Sequence, residues 1–477
     1  MSDLTAIIGL EVHIQLATQS KIFSSSATET GQAPNSLTDP VTLGLPGVLP
    51  VLNKAVVDYA IKLGLATNCK IREKSIFARK HYTYPDLPKG YQISQHDKPT
   101  CYEGWLNIRV NKQSKKIGIT RIQLEEDTGK NIHLANEPFS LIDLNRAGVP
   151  LLEIVSEPDM RLPEEAGAYL RILHQLVKYL NICNGNMEEG NFRCDANVSV
   201  MQANAQEFGT RVEIKNLNSF KHVEKALAFE IEQQKKLIEQ GVTIIQETKL
   251  WDEVNEVTKS MRSKEYSADY RFFPEPDLLP LIIDENWIAN IKDNMPELPS
   301  QTFERLVDTY KLDEYSAELL ISDKYVADYF EKALTSHYNP NGISNWITTE
   351  LFGRLNKESM EFLDCPVSPK SIAILVKLID TGIISGKIAK TVFDIMWRTG
   401  KDPQSIVKEQ NLIQISDNIF IQEIIDSVLK QNPTQLQTYK AGKVQLFSYF
   451  VGQAMKASND KVNPELLNEM LKKTLEQ

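Results

Sequence analysis

The chain runs to 477 residues, 42% of them hydrophobic and 24% charged, with a formal net charge of −10. This length predicts two or three domains rather than one core, and the acidic balance argues against bulk-charge coating of nucleic acid while leaving room for a local basic groove. No window approaches the roughly 18 unbroken apolar residues of a membrane span, no leader-like basic and apolar start is present, and the five cysteines form no CxxC pair; these predict a cytoplasmic chain without a cysteine zinc site.

The first stretch, Ile7 to Leu16, alternates with the period of a strand: Ile8, Leu10, Val12, Ile14 and Leu16 on one face, Glu11, His13 and Gln15 on the other. A carboxylate and an imidazole two residues apart on a strand sit roughly 7 Å apart. That suits two ligands of one metal ion, or a proton donor and its partner, or simply a strand with one wet face. A Gly/Pro-punctuated loop, LGLPGVLPVLN, then leads into a helix from Lys54 to Leu65.

From Phe77 to Tyr91 runs the densest cationic and aromatic patch, with Arg79, Lys80 and Lys89 among Tyr82, Tyr84 and Tyr91. Pro85 and Pro88 make it a rigid turn rather than a strand interior. Such a surface can hold phosphate and stack on a base; equally, its tyrosines can cover the edge of a core.

Carboxylates then interrupt strands that should be apolar. In GITRIQLEED, Ile122, Leu124 and Glu126 share one face, while Glu125 joins the polar row of Arg121 and Gln123. Glu153 is flanked by aliphatic residues in VPLLEIVSEP. A carboxylate buried without a partner costs several kcal/mol, so it neutralises, pairs or binds a cation. Pro163 opens a helix to about Leu180, and Asn218-Ser219 caps a second one that ends at Gln240. Between the helices, Arg193, Asp195, Asn197 and Ser199 line one strand face, and Arg211, Glu213 and Lys215 line another. The two rows make either a cross-strand ion-pair ladder or the wall of a polar cleft.

Several acids and one histidine on strands favour Mg²⁺ over zinc. With lysine and arginine nearby, they are equipment for ATP phosphates, although no GxxxxGK[ST] loop is present. After Asn294–Pro299, where two prolines break regular structure, the pattern is helical. Apolar residues recur at three and four, as in Ile372, Leu375, Leu378 and Ile379, or Phe420, Ile424, Ile425 and Val428.

Eight segments in this order, IIGLEVHIQL, LGLPGVLPVLN, ARKHYTYPDLPKGYQISQ, ITRIQLEEDTGK, SLIDLNRAGVPLLEIVSEPD, MEEGNFRCDANVSV, GTRVEIKNLNSF and DYRFFPEPDLLPL, together with the helical end, closely resemble the B subunits of bacterial tRNA-dependent amidotransferases. The resemblance covers essentially the whole chain. It implies an α+β protein: a mixed β-sheet cradle with flanking helices (1–293), an all-α helical domain (294–404) and a small helical, YqeY-like tail (405–477). It implies ATP-dependent amidation of misacylated Glu-tRNA(Gln) or Asp-tRNA(Asn) through an acyl phosphate. Partners would be an amidase A subunit that releases ammonia from glutamine and a small C subunit. The metal residues it implies are Glu11, His13, Glu126 and Glu153, binding Mg²⁺, with Lys80 stabilising phosphoryl charge and Lys89 a second candidate. Arg193, Asp195, Lys215 and Asn216 are expected in the cleft wall. Lys440, Lys443 and Lys456 are expected on the tail that grips tRNA by shape.

Many members of that family carry two cysteine pairs before LGLPG; here the corresponding positions are Ser24, Ser26, Asp39 and Thr42. The expectation is therefore no zinc, and a loop held by packing alone. The chain also lacks a Gly/Ser-rich amidase stretch with paired serines and a lysine, so ammonia would come from elsewhere. A noncatalytic tRNA-binding scaffold and a stand-alone Mg²⁺-dependent phosphohydrolase are the competing readings.

Overall fold

The computed structural model describes residues 4–134, 137–263, 270–414, 418–458 and 462–476, and divides into two units, Met1–Pro299 and Ser300–Gln477. In chain order the first unit's strands are β1 (Leu4–Gln15), β2 (Lys70–Ile71), β3 (Lys74–Ser75), β4 (Ala78–His81), β5 (Tyr91–Ser94), β6 (Cys101–Val110) and β7 (Gln113–Glu126). Then come β8 (Lys130–His133), β9 (Ser140–Asp143), β10 (Pro150–Ser156), β11 (Phe192–Gln202), β12 (Val212–Leu217), β13 (Glu247–Asp252), β14 (Val257–Ser263), β15 (Phe273–Pro274) and β16 (Leu281–Ile282). Nine of them form one sheet in the order β14-β13-β12-β11-β1-β10-β7-β6-β2. All its pairs are antiparallel except β12 with β13, so the sheet is mixed as expected.

Alternation decides which face is covered. Ile8, Leu10, Val12 and Ile14 of β1 are at most 1% exposed, and burial of each such side chain stabilises by about 1.5–3 kcal/mol. They pack with the apolar stripes of three helices, α1 (Lys54–Ala66), α2 (Pro163–Tyr179) and α3 (Phe220–Glu239), in one core. The helices start where the sequence predicts: the Asn53 side chain accepts from the Ala55 amide, Pro163 occupies the first turn of α2, and Ser219 accepts from the His222 amide. With the helices on that face, the polar rows lie together on the other.

The loop that holds Ser24, Ser26, Asp39 and Thr42 is not held by packing alone, which corrects the expectation. Asp39 accepts from the hydroxyls of Ser24 at 3.0 Å and Thr42 at 2.9 Å. It also accepts from the amides of Val41 at 2.9 Å and Thr42 at 3.0 Å. Ser26 and the buried Lys21 both donate to the Leu37 carbonyl, at 2.7 and 2.8 Å. A carboxylate collects here the donors of a tight loop.

The second unit is helical and holds two separate apolar clusters, one from Leu306 to Val407 and one from Ile421 to Leu475. In the helix Pro369–Asp380, Ile372, Leu375 and Leu378 are buried, as the spacing predicts. In Asn418–Gln431 the core stripe is Ile421, Ile425 and Val428, whereas Phe420 is exposed. The apolar arc there is wider than the buried one, so spacing alone misassigned its edge. No helix among the described residues is long and apolar enough to cross a membrane.

Candidate functional site

Strand pairing assembles the site from residues more than a hundred positions apart. His13 stands opposite Glu153 of β10 on one side and Arg193 of β11 on the other, and Glu153 stands opposite Gln123 of β7. Directly opposed residues share a sheet face, so the polar rows of four strands merge. Ligand atoms of His13, Glu125 and Glu153 all lie within 4.8 Å of one another. Gln123 ties the two carboxylates together, donating to Glu125 at 2.7 Å and to Glu153 at 2.6 Å, and the Ser94 hydroxyl donates to Glu125 at 2.6 Å.

Electrostatics differentiate the three. Burial holds the His13 imidazole below its usual range, so a ring lone pair is open to a cation. Burial and then the Glu125 charge push the Glu153 carboxyl well up. Burial works upward on Glu125 too, but the charge of Lys80 and the hydrogen bonds to Glu153 and Ser94 help to outweigh it, and its net shift is downward. The two shifts run in opposite directions, as those of two carboxyls sharing one low-dielectric site do.

The other expected residues divide into those around this cluster and those engaged elsewhere. Glu11 accepts from Asn197 Nδ2 at 2.9 Å, and its charge is felt by Glu153. Lys80, on β4, has no ion-pair partner among the described residues; its ammonium lies 4.9 Å from the centre of the Tyr270 ring, and its field reaches both Glu125 and Glu153. Glu126 is outside the cluster. It pairs with buried Lys89 and accepts from the Ile93 amide at 2.7 Å, because strand alternation turns it away from Glu125. Lys89 is therefore spoken for as well. Arg79 forks onto Glu275 at 2.7 and 3.0 Å and reaches Asp277 at 2.9 Å, so it is not open to phosphate either.

In the expected cleft wall, Arg193 donates to Asp127 at 2.9 Å. Lys215 bridges Asp195 at 2.5 Å and Glu213 at 3.1 Å, which is an ion-pair ladder. Asn216 sits in a bulge between β11 and β12 with φ of 65°, and its amide donates to the Trp251 carbonyl at 3.0 Å. That is a backbone role, since asparagine tolerates the left-handed region. Lys440, Lys443 and Lys456 lie in the second unit. The site includes two side chains that sequence reasoning left out: Glu125, whose signal was its membership of the Arg121–Gln123 row, and Asp127, which Gln15 and Arg193 both approach.

Two carboxylates and a neutral imidazole, in the field of Lys80, form an oxygen-rich donor set that fits a hard divalent cation and not a thiolate-seeking one. Residues 6–289 match the model described as the GatB/GatE catalytic domain, and residues 328–475 match the GatB domain. The chain is 55% identical to the B subunit of the aspartyl/glutamyl-tRNA(Asn/Gln) amidotransferase of Geotalea daltonii, over 99% of this chain and 100% of that one. It is 54% identical to the protein of the same name from Geotalea uraniireducens, over 98% of each. To that of Carboxydothermus hydrogenoformans it is 51% identical, over 100% of this chain and 99% of the other. With both of its matched regions and nearly its whole length in common with these proteins, the chain belongs to the GatB family of amidotransferase B subunits.

Proposed function

We propose that this chain amidates misacylated Glu-tRNA(Gln) and Asp-tRNA(Asn), using ATP, on the open face of its sheet. The observation that supports the reading is the convergence of His13, Glu125 and Glu153 beneath the field of Lys80. A side-chain carboxylate resists ammonia until one of its oxygens can leave. Attack of that oxygen on the γ-phosphorus of ATP forms the acyl O–P bond and breaks the bond to ADP. Ammonia then adds to the acyl carbon, phosphate departs with the C–O bond, and a proton is lost to give the amide.

His13, Glu125 and Glu153, with Glu11 at their edge, would hold Mg²⁺, which supplies charge neutralisation for phosphate oxygens when bound. Lys80 offsets phosphoryl charge from the β4 side. Gln123 and Ser94 fix the orientation of the carboxylates. An A subunit releases ammonia, a C subunit completes the assembly, and Lys440, Lys443 and Lys456 offer the tRNA a basic patch.

The test is the reconstituted three-subunit complex with each misacylated tRNA. ATP cleavage is expected to need Mg²⁺ and to rise with misacylated tRNA, and free ammonia is expected to replace the A subunit. Turnover indifferent to tRNA would point to a phosphohydrolase. No ATP turnover at all would leave a scaffold.

A further inference from the structure

Arg79, Lys80 and Lys89 each lie over an aromatic ring, but they are not held alike. Arg79 sits 4.1 Å and Lys89 5.1 Å from the centre of the Tyr91 ring. Each of those two also has a carboxylate, Glu275 for Arg79 and Glu126 for Lys89. Among the described residues Lys80 has rings alone: its ammonium lies 4.9 Å from the centre of Tyr270 and 5.8 Å from that of Tyr82. We propose that Tyr270 and Tyr82 form an aromatic clamp that holds the Lys80 ammonium near His13, Glu125 and Glu153 without neutralising it, Tyr270 being the principal positioning residue. The inference rests on the amidation reading and names what keeps its phosphate-facing cation in place.

The physical reason lies in what a ring offers that a carboxylate does not. A lysine close to two carboxyls can fold onto one of them, and the closed ion pair would cancel its charge and occupy a potential metal ligand. The face of an aromatic ring attracts the same ammonium through its quadrupole but brings no net charge. Held that way, the flexible lysine stem is fixed while the full positive charge stays open to an incoming phosphate oxygen. The field of Lys80 agrees with this: burial pulls Glu125 upward, and the Lys80 charge is the largest of the influences that lower it.

Both rings are themselves anchored. The His81 amide donates to the Tyr270 carbonyl at 2.9 Å, the His81 ring Nδ1 lies 3.0 Å from the Arg271 carbonyl oxygen, and Arg79 pairs with Phe273 where β4 meets β15. Behind Tyr270, Phe272 meets it edge-on at 6.1 Å and is stacked on His96 at 4.2 Å. Tyr82 meets Tyr270 edge-on at 6.1 Å on another side. Its hydroxyl donates to Gln92 at 3.2 Å, and the Gln92 amide donates to Glu125 at 3.3 Å. One wall of the clamp is thus tied to the strand that carries Lys80, and the other to a side chain that touches Glu125.

The experiment asks whether the charge on the ring face matters, apart from its shape. The three-subunit complex is assembled with Tyr270→Leu, with Tyr270→Phe, and with Tyr270 replaced by phenylalanines carrying one, two and three ring fluorines. Fluorine drains the negative face of the ring and changes its volume little. Amidation of misacylated tRNA is measured, with circular dichroism as the check of folding. Tyr270→Leu is expected to lower kcat by about tenfold, with KM for tRNA unchanged. Tyr270→Phe is expected to keep most of the rate, and the logarithm of kcat to fall stepwise with each fluorine. In a Lys80→Ala background Tyr270→Leu is expected to cost nothing further, because the ring acts only through the ammonium.

Should Tyr270→Leu not fold, the fluorinated series carries the measurement. A flat fluorine series, or equal losses from Tyr270→Leu with and without Lys80, overturns the proposal, since a ring that matters only as filling has no charge to lose. A Lys80→Ala complex of full rate overturns it as well, because no cation then needs holding. The failures are distinguishable: a wild-type complex that forms no amide overturns the amidation reading, whereas an active wild type, a slow Lys80→Ala complex and a flat series remove the clamp alone.

Discussion

Lys89 and Glu126 are an ion pair with 6% and 4% of their side chains exposed, set immediately beside the row that carries Glu125. Adjacent carboxylates on one strand thus do opposite things: one is neutralised by a lysine on its own side of the sheet, and the other is left to a cluster of potential cation ligands.

The pair gives the first prediction. Glu126→Gln leaves a buried ammonium without its counter-charge, which costs about 3 kcal/mol or more. The variant is expected to melt markedly lower than wild type, while the Mg²⁺ dependence of the folded fraction stays the same. An unchanged melting temperature would mean that Lys89 finds water or another partner.

Glu125→Gln is expected to behave the other way. It removes one carboxylate of the cluster, so transamidation should fall by about a hundredfold, with the Mg²⁺ needed for half-maximal rate rising and tRNA binding preserved. His13→Ala should do the same. Filter binding of tRNA beside the rate assay checks both; a Glu125→Gln enzyme of normal rate would remove Glu125 from the chemistry.

The third prediction concerns the loop around Asp39. Asp39→Ala takes the acceptor from two hydroxyls and two amides, a loss of about 2–3 kcal/mol. Zinc chelation is expected to leave the wild-type melting curve where it is. A chelator-sensitive transition would show that the loop does depend on metal.

Buried thiols make stability fall on the alkaline side. Burial pushes Cys69 and Cys183 up to about 11 from an ordinary value of 9.0. Below the ordinary value both states keep the proton and stability does not change with pH. Between there and about 11 the unfolded chain ionises first, binds fewer protons, and is favoured by roughly 2–3 kcal/mol per thiol. Denaturant midpoints at about pH 8.5 and 10.5 should therefore differ more for wild type than for the Cys69→Ala/Cys183→Ala double variant. Equal slopes would place the loss in other groups.

Local pattern made much of this protein legible. Period-two alternation in Ile7–Leu16 separated the core face of β1 from Glu11 and His13, and the Gly/Pro loop before Lys54, Pro163 in a first turn and the Asn218-Ser219 cap located α1, α2 and α3. These are short-range effects, set by sterics and hydrogen bonds within a few residues. The same alternation put Glu125 in a polar row and Glu126 in an apolar one, whereas the family resemblance named Glu126 as a metal residue.

What the sequence determined by itself was therefore which residues of each segment share a face. Only the tertiary structure decided which faces meet. His13, Glu125 and Glu153 become neighbours because β1 lies beside β10 and β10 beside β7, and nothing local to any of those strands encodes its partner. Strand pairing across more than a hundred residues is selected by burial of the whole helix-covered face. The polar rows on the opposite side come into register as its consequence.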